Sequence, residues 1–293
     1  MTDGLVLVDK PADWTSHDVV GRMRRIAGTR KVGHAGTLDP MATGVLILGL
    51  NQATRLLGHL ALHDKAYDAT IRLGRSTTTD DAEGDVVAEA DAEALAGLSE
   101  ARIAAAMTRL TGDIEQVPSS VSAIKVDGVR AYKRVRDGET VELKPRPVTV
   151  SSFDLVERRG DDLDVHVECS TGTYVRALAR DLGADLDVGA HLTALRRTRV
   201  GEFAIADAHR LDELEADLRV IPMSEAAAKT FPTVRVTSAE ATRIGHGQRL
   251  VLDIGDGTSA VLGPDDSLVA LVERRDGVAQ PLAVFASQAD LSS

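Results

Sequence analysis

A single cysteine, Cys169, stands in 293 residues, which excludes an internal disulfide and any zinc site built from several thiolates. Within VHVECS it reads as a small buried residue of a strand, with no chemical role. Aromatic residues are also scarce, at 3% of the chain. A broad platform for stacking single-stranded bases is therefore not expected, and each of the few tyrosines becomes informative. The longest apolar runs fall far short of a membrane span, and the first residues lack the charged-then-apolar pattern of a signal peptide. A cytoplasmic protein without membrane contact is expected. Positive charge is short too, with 34 Lys and Arg against 45 Asp and Glu. As a total this argues against RNA, because phosphate contacts need cations. The acid excess is confined, however: residues 65–115 hold 11 acids and 5 bases, and residues 211–293 hold 13 and 7. Elsewhere the bases cluster at Arg22, Arg24 and Arg25 through Arg30 and Lys31, between Arg130 and Arg136, and at Arg196, Arg197 and Arg199. These clusters fit either a basic track on an acidic molecule or ordinary solvated faces.

What the chain does have is a glycine-punctuated loop that runs into a solid apolar strand, KVGHAGTLDPMATGVLILGL at residues 31–50. Gly33, Gly36 and Gly44 allow backbone shapes or close approaches that a side chain would forbid, and Pro40 biases Asp39 away from helix. Val45, Leu46, Ile47 and Leu48 read as a strand in the middle of a core. A loop of this kind presents its one acid, Asp39, on a rigid support, although Asp-Pro flanked by glycines is also a common turn.

Residues 5–8 read as a buried strand. Thr15 or Ser16 can cap a helix with Val19, Val20, Met23 and Ile26 on one side and Gly28 as its stop. Asn51 is expected to cap a second helix, with Leu56, Leu57, Leu60 and Ala61 as its buried stripe and Arg55 in its first turns. Residues 65–73 alternate, placing Tyr67, Ala69, Ile71 and Leu73 on one face. On that face Tyr67 either floors a cleft or packs in the core. Residues 75–97 are acidic and polar, a surface excursion with a short strand near Val86. Its acids Asp80, Asp81, Glu83 and Asp85 lack calcium-loop spacing and a histidine partner, so no metal is expected. Next come a helix capped by Ser99, a strand at 121–126 and a short basic helix with Tyr132, Lys133 and Arg136. Residues 148–156 and 163–169 form a hairpin pattern. After Thr171-Gly172-Thr173 comes a helix opened by Tyr174 and Arg176, and then a strand at 190–200. The whole indicates an α+β fold: a mixed, largely antiparallel sheet with flanking helices over residues 1–230, then a small β-rich domain at 231–293.

The pattern GHAGTLDPMATGVL, carrying Gly33, His34, Gly36, Leu38, Asp39, Pro40, Ala42 and Gly44, resembles the catalytic loop of the TruB family of tRNA pseudouridine synthases. Four further blocks resemble the family in the same order: LVLVDKPADWTSHDVV, KAYDATIRLG, GDIEQVPSSVSAIKVDG and CSTGTYVRALARDLG. Together they cover most of residues 4–200.

The resemblance implies the pseudouridine synthase fold with a PUA-like C-terminal domain, and isomerisation of the uridine at position 55 in the T loop of tRNA. That base must be flipped out to react. No redox change or group transfer is involved, so no cofactor is expected. Asp39 is implied as nucleophile or electrostatic partner, with Arg176 as its cation. Tyr67 matches the tyrosine that stacks on the target base and takes part in proton transfer. Tyr174 matches a further active-site tyrosine, and Leu195 a leucine against the base. His34 matches a histidine that holds rearranged RNA. Arg55 stands where a lysine is expected and keeps the charge for phosphate with altered geometry. Asp81 aligns with an acid that holds Arg176. The implied partner is the T arm of tRNA, bound by a monomer without guide RNA. A non-catalytic RNA-folding protein and a guide-dependent synthase are the competing readings; a glycosidase would need a second placed acid.

Overall fold

The computed structural model describes residues 3–119, 125, 126, 129, 130 and 143–285. Its centre is β3 (Thr43–Leu50), which lies between β1 (Gly4–Lys10), antiparallel to it, and β12 (Ala190–Val200), parallel to it. The unbroken apolar run of β3 reflects burial on both faces. Val45 and Ile47 pack with Leu5 and Leu7, whereas Leu46 and Leu48 pack with Val6, Val8 and Met23. All four β3 side chains are fully buried, and truncating any one to alanine should cost about 2–5 kcal/mol.

The remaining strands extend this sheet. β2 (Val32–Ala35) pairs with β3. Beyond β12 lie β4 (Lys65–Leu73), β11 (Asp162–Cys169), β10 (Arg146–Arg159) and β7 (Gly112–Gln116), while β14 (Ile221–Pro222) borders β1 and β13 (Phe203–Ala204) pairs with β12. Among the described residues these ten strands form one sheet, antiparallel everywhere except between β3 and β12. Alternation in β4 is answered by burial: Tyr67, Ala69, Ile71 and Leu73 face a cluster completed by Leu178 and Leu182 of the helix Val175–Asp185 and Ile103 and Met107 of the helix Glu100–Arg109. The excursion after β4 carries the hairpin of β5 (Arg75–Thr77) and β6 (Val86–Glu89), of which β6 is exposed throughout.

Caps mark where helices begin. Thr15 accepts from the Asp18 amide and Asp18 returns the bond, a capping box that opens the helix Ser16–Ile26. Asn51 behaves differently from the sequence expectation. Its φ is +51°, its amide donates to the Lys31 carbonyl at 2.8 Å, and its side chain accepts from Thr29. It closes a turn onto the chain leading into β2. The turn opens a 3₁₀ segment, Asn51–Arg55, and then one α-helical turn, Leu57–Leu60. Of the expected strand at 121–126, only β8 (Lys125–Val126), paired with β9 (Val129–Arg130), is described; the basic helix with Tyr132, Lys133 and Arg136 lies outside the described residues.

The stretch around Ile221 and Pro222 supplies the β14 edge strand before the helix Met223–Thr230. A second sheet comes next, in the order β15 (Thr233–Arg235), β16 (Thr258–Leu262), β17 (Leu268–Arg275), β18 (Val278–Val284). Its Ala260, Leu262, Leu268 and Leu271 share one apolar cluster with Leu5, Leu7 and Ile47, so the two sheets are joined by core contacts. Among the described residues no helix is long and apolar enough to cross a membrane.

Candidate active site

The loop between β2 and β3 is fastened at both sides of Asp39. Ser16, fully buried in the first helical turn, donates to the Leu38 carbonyl at 3.1 Å and accepts from the Leu38 amide at 2.9 Å. Lys10, at the end of β1 and also fully buried, spends its ammonium on the carbonyls of Pro11, Trp14 and Pro40. Burial lowers Lys10 to about 8, against the opposing pull of Asp39. From β12, Arg197 donates to the carbonyls of Gly36 at 3.1 Å and Val45 at 2.8 Å. Gly44 makes this last approach possible. Its φ is +99°, and a Cβ there would overlap the Arg197 backbone.

Arg176, the second residue of its helix, meets this loop. Its Nε lies 3.1 Å from Asp39 Oδ2, and its Nη1 lies 3.0 Å from Asp81 Oδ2 and 3.0 Å from the Thr79 carbonyl. Asp81 is in turn held by Thr79 and by the Glu83 amide. The exposures set the roles apart: 2% for the Asp81 side chain, 6% for Arg176 and 37% for Asp39. Asp81 is therefore a buried anchor, and Asp39 is the carboxylate that opens to a ligand. Burial raises the Asp39 carboxyl above its ordinary value, and the Arg176 charge opposes the rise. Asp81 is not a free second acid of the kind a glycosidase would need, since it is spent on Arg176, Thr79 and the Glu83 amide.

Asp39 opens into a cavity of about 290 Å³ lined also by Tyr67, Tyr174, Arg176 and Leu195, with Lys65 and Arg197 on its wall. Tyr67, left open by the sequence between cleft floor and core, is both: 7% exposed and part of the lining. Burial raises its phenol, while the nearby Arg197 charge works the other way. Tyr174 precedes the arginine helix, and Gln116 fixes its backbone from both ends, accepting from its amide at 2.8 Å and donating to its carbonyl at 3.2 Å.

Besides the buried anchor Asp81, two expected site residues do not line this cavity. His34 sits on β2, edge-on to His17 at 5.7 Å between ring centroids. Among the described residues its buried Nδ1 has no hydrogen-bond partner, and burial lowers its pKa. Arg55 donates to the Val284 carbonyl at 2.7 Å, tying the 3₁₀ segment to the second sheet. The basic clusters are partly spent as well: Arg22 pairs with Glu215, Arg196 with Asp9 and Arg199 with Glu168, and Arg197 is buried. Sequence reasoning missed Lys10, Ser16, Lys65, Gln116 and Arg197. The available signal was phase, since Lys65 and Arg197 stand two residues from Tyr67 and Leu195 on buried strand faces. Among the described residues no group of three or more His, Cys, Asp or Glu side chains is placed to hold a metal ion.

Comparison with known proteins places this geometry. Residues 24–175 match the N-terminal domain of the TruB family pseudouridylate synthases. The chain belongs to the TruB family. Residues 176–228 match the tRNA pseudouridylate synthase B C-terminal domain, and residues 231–286 match the C-terminal domain of tRNA pseudouridine synthase II. The tRNA pseudouridine synthase B of Thermobifida fusca is 56% identical, covering 98% of this chain and 99% of that one. That of an Arthrobacter species is 56% identical over 98% and 97%. Among solved structures, a chain of an H/ACA ribonucleoprotein bound to a substrate RNA containing 2′-deoxyuridine superposes with a TM-score of 0.74 at 25% identity, covering 98% of this chain and 86% of that one. A TruB family pseudouridine synthase fold is thus present, with the Asp39 cavity within it.

Proposed function

We propose that this TruB family chain converts the uridine at position 55 in the T loop of tRNA to pseudouridine, acting alone as a monomer in the cytoplasm and without guide RNA. The observation that carries the reading is the line Asp39–Arg176–Asp81 at the edge of a cavity that Tyr67 and Leu195 also line. The relatives named tRNA pseudouridine synthase B support tRNA as the substrate.

The chemistry is an isomerisation. The C1′–N1 bond breaks with its electron pair leaving on the base, the base turns, C5 bonds to C1′, the proton on C5 departs, and N1 takes up a proton. Atoms and charge balance without a cofactor. The target uridine enters by flipping out of the T loop, at a cost of about a few kcal/mol. Asp39, aimed by Arg176, engages the reacting nucleotide through its exposed oxygen. Tyr67 stacks on the base and serves the C5 proton; Tyr174 and Leu195 complete the pocket around it. His34 props the rearranged loop, and Arg55 faces phosphate with its remaining donors. Residues 231–293 act as a PUA-like module that steadies the arm.

The likeness to an H/ACA ribonucleoprotein chain supports a second reading, a synthase that needs a guide. A T-arm stem-loop incubated with the purified protein alone distinguishes them. Nuclease digestion and chromatography should show pseudouridine at the position corresponding to 55 and nowhere else. Failure to react without added guide RNA and partner proteins would support the guide-dependent reading.

A further inference from the structure

Lys65 and Tyr67 are two residues apart on β4, and Leu195 and Arg197 two apart on β12. Arg197 stands opposite Tyr67 in the pairing of these strands. Both cations line the Asp39 cavity, and both are buried, Lys65 to 7% and Arg197 to 1% exposure. Two buried positive charges on one wall call for compensation. Among the described residues their hydrogen bonds go elsewhere than to a carboxylate. Lys65 Nζ donates to the carbonyls of Ala61 at 3.0 Å and His63 at 2.7 Å, and Arg197 to those of Gly36 and Val45. An ammonium has three N–H donors, so Lys65 keeps one for the cavity.

The loop carrying Asp39 leaves these groups open. A Cβ on Gly36 would lie 3.5 Å from Arg197 Nη1 and 3.8 Å from Lys65 Cε; its absence keeps the wall bare. Among the described residues no carboxylate is hydrogen-bonded to either cation. Asp64 is exposed next to Lys65, the Cys169 thiol is pushed up to about 11 and stays neutral, and Asp39 is paired with Arg176. Lys65 itself is lowered to about 8 by burial, so it remains mostly protonated at neutral pH.

We propose that Lys65, with Arg197 behind it, forms a cationic wall that binds the negative charge developing on O2 or O4 of the uracil as the C1′–N1 bond breaks. The inference rests on the pseudouridine synthase reading and adds to it the group that receives the departing electron pair. Uridine arrives neutral and its detached base is an anion, so a fixed cation stabilises the transition state more than the bound substrate. Lys65 also donates only, which suits the O4 acceptor of uracil and opposes the amino group of cytosine.

Single-turnover reactions on T-arm RNA carrying uridine or 5-fluorouridine at the target test this, read as loss of the parent nucleoside. Fluorine makes the detached base a more stable anion, so it needs the wall less. Lys65→Gln should slow the uridine reaction about 100-fold, with RNA affinity within about threefold, and the deficit should shrink to under about tenfold on 5-fluorouridine. Lys65→Arg should recover most of the rate. Equal deficits on both substrates, or weakened RNA binding at an unchanged rate, would overturn the proposal; the latter would assign the wall to a phosphate instead. Thermal unfolding monitors the fold, and Lys65→Met replaces Lys65→Gln if the latter does not fold. Asp39→Asn run alongside separates the two levels: retained turnover there undermines the reading of the site, whereas its loss together with equal Lys65 deficits removes only the wall.

Discussion

Lys10 Nζ lies 3.0 Å from the carbonyl of Pro40, the residue immediately after Asp39. The end of β1 therefore holds the loop that presents the carboxylate, across 30 residues of chain. This ammonium needs all its protons to satisfy the carbonyls of Pro11, Trp14 and Pro40, and it sits near pKa 8 in the fold against an ordinary 10.5. As pH rises through about 8, the clamp loses a donor and activity should fall. Stability should move the other way. Between 8 and 10.5 the unfolded chain holds a proton that the folded chain releases, so this group favours the fold more as pH rises. A kcat profile that declines above pH 8 while Lys10's contribution to the unfolding midpoint does not decline is the expected pair of results. Lys10→Met should reduce kcat about 100-fold by misplacing Asp39, and a variant as active as the wild type would show that Lys10 does not hold the loop in its working position.

Gln116 links β7 to the arginine helix through both backbone groups of Tyr174. Gln116→Leu keeps the volume and loses both bonds, while the Tyr174 carbonyl keeps the bond from the Leu178 amide; a cost of about 1–3 kcal/mol of stability is expected. The single-turnover rate should drop about tenfold with RNA affinity nearly unchanged. Gln116→Glu, which can still accept from the Tyr174 amide, should fall between. Equal rates for all three proteins would show that Tyr174 needs no such support.

Gly44→Ala tests the packing of β3 on β12. Its left-handed φ of +99° and the overlap of a new Cβ with the Arg197 backbone act together, so a loss of more than about 3 kcal/mol is expected. Urea unfolding reads it directly, and an unchanged midpoint would mean that the two strands are not in this register.

Asp39→Asn should leave the fold intact and relieve it. Because burial raises the Asp39 carboxyl, the folded protein keeps this proton to higher pH than the unfolded chain does. The wild type therefore loses stability from this group as pH climbs from the ordinary carboxylate value through the raised one. The gain in thermal midpoint of Asp39→Asn over the wild type should be larger at about pH 7 than at about pH 4. A gain independent of pH would contradict the raised value.

These relationships explain which parts were legible in the sequence. The β3 run and the β4 alternation report burial on two faces and on one, and local periodicity records both. Thr15 three residues before Asp18 is a local cap, and the glycines around Asp39 mark a loop that presents a group. The bonds from Lys10 to Pro40, Gln116 to Tyr174 and Arg197 to Gly36 join side chains to distant backbone, and no spacing in the chain encodes them. Asn51 failed as a cap for the same reason: its partners, Thr29 and Lys31, are brought to it by β2. The second sheet showed its strands through regular turns, whereas its core contact with β1 and β3 had no sequence signature.

The most direct measurement is tritium release from a T-arm RNA labelled at the C5 position of the target uridine, with purified protein and its Asp39→Asn variant. The wild type should release tritium without any added RNA or protein, and Asp39→Asn should bind the RNA normally and release none. Folded wild-type protein that binds the RNA and yet leaves the label in place would contradict the central claim that Asp39 drives pseudouridine formation in this chain.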